Sequence, residues 1–164
     1  MMEITLRKAR ETDFPAILEM IKELATFEKA PEKVTNTVEQ MNAEKDFFKC
    51  FIAENQEKQI MGFALYFFAY YTWVGKSLYL DDIYVKEELR GKGIGTMLLK
   101  KIFEVAKNEN CKRLRWQVLN WNIPAINLYN KIGAEIDAEW LNCDFSKTEL
   151  MNTLEVLSGN SNQK

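Results

Sequence analysis

Histidine is entirely absent from the 164 residues of this chain. A Ser-His-Asp triad, a Cys-His pair and a His-ligated zinc site are therefore excluded. Any acid–base chemistry has to use carboxylates, tyrosine, cysteine, lysine or ordered water. The three cysteines, Cys50, Cys111 and Cys143, lack the spacing of metal ligands. This pattern is typical of reduced thiols in a cytoplasmic protein, and we expect no bound metal.

Long apolar runs and an excess of one charge are also missing. No stretch reaches the length of a membrane span, and residues 1–10 lack the apolar run of a signal peptide, so we expect a cytoplasmic protein without a membrane partner. The 22 basic and 24 acidic residues give a net charge of −2. A nucleic-acid-binding surface usually shows a clustered basic excess, and we expect no nucleic-acid partner.

The length is that of one compact domain, with no repeat or linker to divide it. We place a single domain at residues 1–157 and, from its composition, a disordered tail at 158–164. Aromatic and β-branched runs predict strands at residues 3–8, 47–54, 60–71, 77–86, 113–119 and 140–145. Helical spacing predicts a helix capped by Thr12, a weaker one at 37–45, one after Arg90, one between Asn122 and Gly133, and one at 146–157. The order predicts an α/β fold with a mixed, mostly antiparallel sheet flanked by helices.

The most informative segment, Arg90-Gly91-Lys92-Gly93-Ile94-Gly95, lies between the predicted strand that holds Ile83, Tyr84 and Val85 and a helix. Glycines allow a ligand to approach the backbone, and the first N–H groups of a helix attract an anion. The segment therefore predicts a pyrophosphate cradle, although it fits neither the P-loop nor the dinucleotide fingerprint. The alternative is a plain turn, in which each glycine would lower helix propensity by roughly 1 kcal/mol without a compensating gain.

This segment matches the R-x-x-G-x-G/A signature of the GNAT acyltransferases, and the chain resembles that family over residues 4–145. Residues 78–85, 118–122 and 127–129 resemble its branch of diamine (spermidine/spermine) and thialysine acetyltransferases. The resemblance implies a GNAT domain that moves an acetyl group from acetyl-CoA to the primary amine of a small diamine, polyamine or thialysine-like amino acid, by direct attack in a ternary complex. It also implies a homodimer. The implied CoA contacts are Ile83, Tyr84, Val85, Arg90, Gly91, Lys92, Gly93, Ile94, Gly95, Thr96, Asn122, Pro124, Ala125 and Tyr129.

Two residues are implied in proton transfer by the same resemblance. Tyr129 matches the tyrosine that protonates the leaving thiolate; on periodicity alone it would be a core aromatic in phase with Ile126 and Ile132. Asp81 matches a glutamate that binds and deprotonates the amine. Because Asp81 and Asp82 are adjacent on a strand, we predict that their side chains point to opposite faces. A solvated acidic turn is the alternative for this pair.

The substrate contacts implied by the family are Phe27, Glu28, Asp81, Arg115, Trp116, Gln117 and Glu139. Acidic residues would favour a cationic substrate, although Glu28 and Glu139 taken singly are typical of surface charges. The diamine enzymes carry an acid before the turn tryptophan, where this chain has Thr72 before Trp73, which favours a shorter amine. A protein acetyltransferase and a non-catalytic CoA sensor are the alternatives. The aromatic residues between Phe67 and Trp73 indicate a walled cleft rather than the open groove that a protein substrate requires.

Overall fold

A computed structural model describes residues 3–159, which form two compact units that divide after Leu119. The first unit holds one five-stranded sheet in the order β1-β2-β3-β4-β5. Its strands are β1 (Thr5–Lys8), β2 (Lys49–Glu54), β3 (Ile60–Tyr71), β4 (Gly75–Val85) and β5 (Arg113–Arg115). The first four strands pair antiparallel and β5 pairs parallel with β4. The predicted α/β class with a mixed, mostly antiparallel sheet is confirmed.

Helices cover both faces of this sheet, because its strands are apolar on both sides. The helices of the first unit are α1 (Phe14–Phe27), α2 (Val38–Ala43) and α3 (Ile94–Asn108). On one face, Ile17 of α1 packs into a buried cluster with Ile52 and Phe63. On the other, Lys101 of α3 lies over the ring of Phe51, whose side chain points away from that of Ile52. We call these the α1 face and the α3 face.

The start of α1 differs from the prediction. Thr12 lies inside a 3-10 turn (Glu11–Asp13), and Asp13 is the residue that precedes the helix. The carboxylate of Asp13 accepts hydrogen bonds from the backbone N–H of Arg10 and from the guanidinium of Arg7, both at 2.7 Å. The predicted Thr12 cap was wrong because the ion pair with Arg7 holds the acid at this turn, and spacing within the chain does not reveal that partner.

The predicted weaker helix at 37–45 is present as α2. Its cap is Thr37, whose Oγ1 accepts a hydrogen bond from the N–H of Gln40 at 3.1 Å. A free N–H group at a helix start is commonly satisfied in this way. The predicted strand at 113–119 is shorter than expected, since its ladder ends at Arg115.

The second unit contains α4 (Ile123–Lys131) and α5 (Lys147–Gly159). As predicted, the Asn122 side chain caps α4 by accepting from the N–H of Ala125 at 3.4 Å, and Gly133 follows the helix with a φ of 85°. The predicted strand at 140–145 was wrong: residues 134–146 join no ladder within the described part of the chain. A strand requires a partner edge, and an apolar pattern does not supply one.

The last helix begins at a reciprocal cap. Ser146 N–H donates to the Glu149 carboxylate at 2.6 Å, and Glu149 N–H donates to Ser146 Oγ at 3.3 Å. The helix continues through Ser158, where the tail predicted at 158–164 begins; residues 160–164 lie outside the described residues. Across residues 3–159, no helix has the length and apolar character needed to cross a membrane.

Candidate active site

A β-bulge on β4 sets the geometry of the acidic pair. Leu80 pairs with Tyr66 of β3, and Asp82 pairs with Leu65, so that Asp81 is an extra residue without a partner in the register. A bulge interrupts the alternation of side chains and redirects the strand. The prediction that Asp81 and Asp82 simply occupy opposite faces assumed a regular strand and did not include this insertion.

The bulge places Asp82 on the α1 face. Asp82 lies opposite Leu65, and Leu65 belongs to the buried cluster under α1. Leu80, before the bulge, lies opposite Tyr66, whose ring stacks on Phe51 of the α3 face at 6.0 Å. In a regular strand Asp82 would share the face of Leu80. The extra residue therefore brings Asp82 towards the side of the sheet that α1 covers.

Two neighbouring carboxylates act on Asp82 at this position. Burial, with the neighbouring charges of Asp81 and Glu28, raises the pKa of Asp82 to about 7. Burial also raises the pKa of Asp81 and the pKa of Glu28, which follows α1. Part of the Asp81 residue is exposed to solvent. A carboxyl group that titrates near neutrality is suited to accept a proton at physiological pH. We call Glu28, Asp81 and Asp82 the carboxylate group.

The sheet opens beside this group. The parallel ladder between β4 and β5 covers only Ser77–Tyr79 and Arg113–Arg115. Within residues 3–159, the edge of β4 that follows Tyr79 therefore has no strand beside it on the β5 side, and this edge includes Ile83, Tyr84 and Val85. Unpaired backbone groups along a strand edge can bind an extended ligand that carries amides, as an added strand would.

The glycine loop follows β4 directly and is shaped for a ligand. Gly91 and Gly93 have φ values of 76° and 82°, in the left-handed region that favours glycine. A Cβ added at either position would meet no atom within 4 Å, so both residues face open space. Gly93 is also the residue before α3, whose first N–H groups, from Ile94 to Thr96, have no acceptor within the helix. These N–H groups and the helix dipole fit an anionic group such as a pyrophosphate.

Arg90 connects this loop to the end of α1. Its Nε donates to the carbonyl oxygen of Val85 at 3.1 Å. Its guanidinium lies 5.3 Å from the ring centre of Phe27 and 5.4 Å from that of Tyr84, within the range of cation–π attraction. Burial, together with a hydrogen bond to Glu23 of α1, raises the pKa of Tyr84. Arg90 of the glycine loop thus contacts the last residue of α1, which precedes Glu28.

The other predicted substrate contacts of the first unit lie on β5 and on the residues that follow it. The Arg115 guanidinium lies 5.7 Å from the ring centre of Tyr71. Trp116 meets Phe103 of α3 edge to face, with 6.3 Å between the ring centres, so its indole packs towards α3. Gln117 is exposed.

The second unit carries the remaining predicted residues. Tyr129, on α4, is only 9% exposed, and burial raises the pKa of its phenol, which keeps it protonated at neutral pH. Asn122, Pro124 and Ala125 form the capped first turn of α4. Glu139 is exposed, and its N–H donates to the Asp137 carboxylate at 2.9 Å.

Sequence reasoning missed Asp82 as a functional candidate. The doubled acid at residues 81 and 82 was visible in the sequence, but Asp81 was chosen from the resemblance to the family, and the burial of Asp82 depends on the bulge. Among the described residues, no group of three His, Cys, Asp or Glu side chains could hold a metal ion.

Known proteins resemble this chain over most of its length. The model of the acetyltransferase (GNAT) family matches residues 13–134. A thialysine N-epsilon-acetyltransferase of Mus musculus is 43% identical over 154 residues, which cover 85% of this chain and 91% of the relative. A spermidine/spermine N(1)-acetyltransferase-like protein 1 of Homo sapiens is 34% identical over 160 residues, which cover 90% of this chain and 23% of that longer protein.

Solved structures share the fold. A predicted acetyltransferase of Clostridium acetobutylicum, in its crystal structure with acetyl-CoA, superposes with a TM-score of 0.70 at 22% identity. The match covers 87% of this chain and 96% of the other.

Proposed function

Because the chain belongs to the acetyltransferase (GNAT) family and is an acetyltransferase, we propose that it moves the acetyl group of acetyl-CoA to the primary amine of a small diamine, polyamine or thialysine-like amino acid. The observation that carries this proposal is the carboxylate group, which lies at the open edge of β4 just before the glycine loop. The names of the mouse and human relatives, which refer to thialysine and to spermidine and spermine, support an amine acceptor.

The residues proposed to hold acetyl-CoA fit its chemistry. The open faces of Gly91 and Gly93 and the first turn of α3, from Ile94 to Thr96, suit a pyrophosphate. The edge of β4 at residues 83–85 suits the amides of the pantetheine arm. Lys92 of the loop, and Asn122, Pro124 and Ala125 of the second unit, complete the proposed contacts. Acetyl-CoA supplies the reactive thioester.

The carboxylate group is proposed to bind and deprotonate the amine. An alkylammonium has a pKa of about 10 and must lose a proton before its nitrogen can attack. Asp81, exposed at the bulge, and Glu28 are proposed to bind the ammonium group. Asp82, with a pKa of about 7, is proposed to accept its proton at neutral pH. The nitrogen then forms a bond to the acetyl carbon as the carbon–sulfur bond breaks, with both substrates bound together.

Tyr129 is proposed to donate a proton to the departing sulfur. Burial raises the pKa of the phenol, so that Tyr129 is protonated at neutral pH and holds a proton when the sulfur departs. We expect Tyr129→Phe to reduce kcat about 1000-fold, as is typical for the loss of a positioned acid. Its Kd for acetyl-CoA, measured by calorimetry, should change less than threefold. Unchanged turnover in this variant would show that another group protonates the thiolate.

A homodimer in the cytoplasm is proposed as the working form, in line with the resemblance. The second unit exposes large apolar side chains, which are suited to an interface: Trp140, Leu141, Phe145, Leu150 and Leu154. The cysteines of the described chain are unpaired, which suits a reducing compartment. Sedimentation equilibrium of the purified protein tests the dimer.

The activity is tested by following free thiol release from acetyl-CoA across a panel of amines. The panel holds spermidine, spermine, putrescine, thialysine, lysine and a lysine-containing peptide. We expect release with a small amine and none with the peptide. Release with the peptide alone would identify a protein acetyltransferase, and acetyl-CoA binding without any release would identify a CoA sensor.

A further inference from the structure

A cavity of about 280 Å³ lies where β1 ends and β2 begins. Its walls come from the segment between β1 and α1, from the first residue of α1, and from the residues around the start of β2. None of the lining residues belongs to the carboxylate group or to the glycine loop. The helix α1 has 14 residues, so its first residue lies about 20 Å from the end that precedes Glu28. The cavity is therefore separate from the carboxylate group.

One tyrosine of the cavity has a hydroxyl without a protein partner. Tyr66 of β3 lines the cavity and is only 3% exposed. Within residues 3–159, its hydroxyl makes no hydrogen bond, and its ring packs on Phe51 and Phe68. Every fully buried side-chain nitrogen or oxygen of the described residues has a partner, so this hydroxyl must retain an opening, which the cavity provides. The hydroxyl can donate a hydrogen bond to a molecule bound there.

Basic side chains outnumber acidic ones around the cavity. The charged lining residues are the basic Lys8, Arg10, Lys45 and Lys49 and the acidic Glu11 and Asp46. Lys45 pairs with Glu11. The other three basic residues form no ion pair with a carboxylate of residues 3–159. The excess of positive charge suits an anion.

The register of the sheet brings two of these cations to the tyrosine. Lys49 lies opposite Tyr66 in the ladder of β2 and β3. Lys8 lies opposite Phe51, which is two positions from Lys49 on β2. Residues that are opposite each other, or two positions apart on one strand, share a face, so both lysines and Tyr66 lie on the α3 face. Opposite residues have Cβ atoms about 5 Å apart and diagonal ones about 7–8 Å, so both ammonium groups can approach one anion beside Tyr66.

The Tyr66 phenol is a hydrogen-bond donor at neutral pH. Burial, with the charge of Glu109 on α3, raises the pKa of this phenol. Glu109 itself pairs with Lys76 at 2.7 Å, so its charge is already matched by another lysine. A carboxylate in the cavity would accept a hydrogen bond from the phenol and lie beside the ammonium groups of Lys8 and Lys49.

The opposite wall of the cavity is apolar. Phe14 and Phe48 line it, and their ring centres are 5.6 Å apart. Cys50 lies beside them, and burial raises the pKa of its thiol, so that it carries no charge at neutral pH. These three side chains pack on the α1 side of the sheet. A bound molecule would therefore direct an anionic group towards the α3 face and an apolar body towards α1.

We propose that this cavity is a second binding site for a small organic carboxylate with an aromatic or short alkyl body. The carboxylate accepts a hydrogen bond from Tyr66 Oη and pairs with Lys49 and Lys8, and the apolar body packs against Phe14 and Phe48. A neutral molecule of the same shape would leave the two ammonium groups without an anion. An inorganic anion would leave the apolar wall without a contact.

The test uses benzoate and hexanoate as probes, benzamide and hexanamide as their neutral analogues, and inorganic phosphate as an anion without an apolar body. Binding to the full chain is measured by calorimetry, with and without saturating coenzyme A. The variants are Tyr66→Phe and Lys49→Gln. The matched controls are Tyr70→Phe, which removes an exposed hydroxyl from the same strand, and Lys112→Gln, which removes an exposed charge outside the cavity.

We expect at least one carboxylate to bind the wild-type protein about tenfold or more tightly than its amide, the range of a hydrogen bond to a charged group. Tyr66→Phe should raise its Kd about tenfold, and Lys49→Gln about fivefold. Both control variants should stay within twofold of the wild type. Without a probe, Tyr66→Phe should melt at the wild-type temperature, because the hydroxyl has no partner in the described protein.

Four outcomes would overturn the inference. Neither carboxylate could bind more tightly than its amide, phosphate could bind as tightly as the carboxylates, Tyr66→Phe could match Tyr70→Phe, or coenzyme A could displace the probe. Displacement would place the anion at the glycine loop instead. The first two comparisons use the wild-type protein, so that a folding defect in a variant cannot obscure them. Since no measurement depends on turnover, the result is independent of the proposed function.

Discussion

The glycine loop and the carboxylate group lie at the same end of β4 but are assembled in different ways. The loop is one continuous segment, from Arg90 to Thr96, and its fit to an anion depends on backbone N–H groups and left-handed glycines. The carboxylate group joins Glu28 of α1 to two residues of β4, and its properties depend on burial and a bulge. A site built from backbone groups, such as the glycine loop, is therefore visible in the sequence as a motif. A site built from side chains, such as the carboxylate group, depends on how distant elements pack together.

The largest expected effect comes from adding one methyl group to the glycine loop, which should change acetyl-CoA binding. Gly93→Ala forces a side chain into a left-handed conformation and into the open space of the cradle. We expect its Kd for acetyl-CoA, measured by calorimetry, to rise about 100-fold, or about 2.7 kcal/mol.

The matched control is Gly133→Ala, after α4. Gly133 has the same left-handed φ and also no atom within 4 Å of an added Cβ. This variant should lose about 1 kcal/mol of stability, with little change in acetyl-CoA affinity. An equal loss of affinity in both variants would mean that backbone strain, and not the cradle, governs binding.

The carboxylate side is distinguished by its pH dependence. Asp82 accepts a proton only when ionised, so kcat/KM should rise with pH through about 7. Asp82→Asn should remove this rise and reduce kcat/KM at pH 8 about 30-fold. Asp81→Asn removes a neighbouring charge that raises the pKa of Asp82, and should move the midpoint of the rise to lower pH. A midpoint unchanged in both variants would exclude Asp82 as the titrating group.

The same carboxyl group should reduce stability at high pH. Its pKa is raised in the folded state, so the unfolded chain loses this proton first, and the free energy of unfolding falls as pH rises from about 4 to about 7. Asp82→Asn lacks this penalty and should be more stable by about 2 kcal/mol at pH 8, with a smaller gain at pH 5. Urea unfolding at the two pH values measures both quantities. If Asp82→Asn were less stable than the wild-type protein at pH 8, the ionised Asp82 carboxylate would not be destabilising in the folded state.

The smallest expected effect concerns the contact between the two regions. Phe27→Leu removes the ring under Arg90, and an exposed cation–π contact contributes about 0.5–1 kcal/mol, so kcat/KM for the amine should fall about threefold. Phe68→Leu is the matched control, because Phe68 is similarly exposed and also lies under a cation, Lys76. Equal losses in the two variants would show that the contact with Arg90 has no special role.

The sequence alone determined the fold class, the cap at Asn122 and the glycine loop, because each depends on residues close together in the chain. It also determined the family, since the loop and the segments around it form a continuous pattern. The roles of Tyr129 and Asp81 came from that pattern and stay predictions.

Tertiary structure decided what depends on partners that are distant in the chain. The ion pair of Arg7 with Asp13 displaced the Thr12 cap, and the predicted strand at 140–145 found no edge within residues 3–159. The register of β3 against β4 placed the bulge at Asp81 and turned Asp82 towards the face of α1. Local spacing cannot encode these choices, because burial, register and charge pairing are properties of elements brought together only by folding.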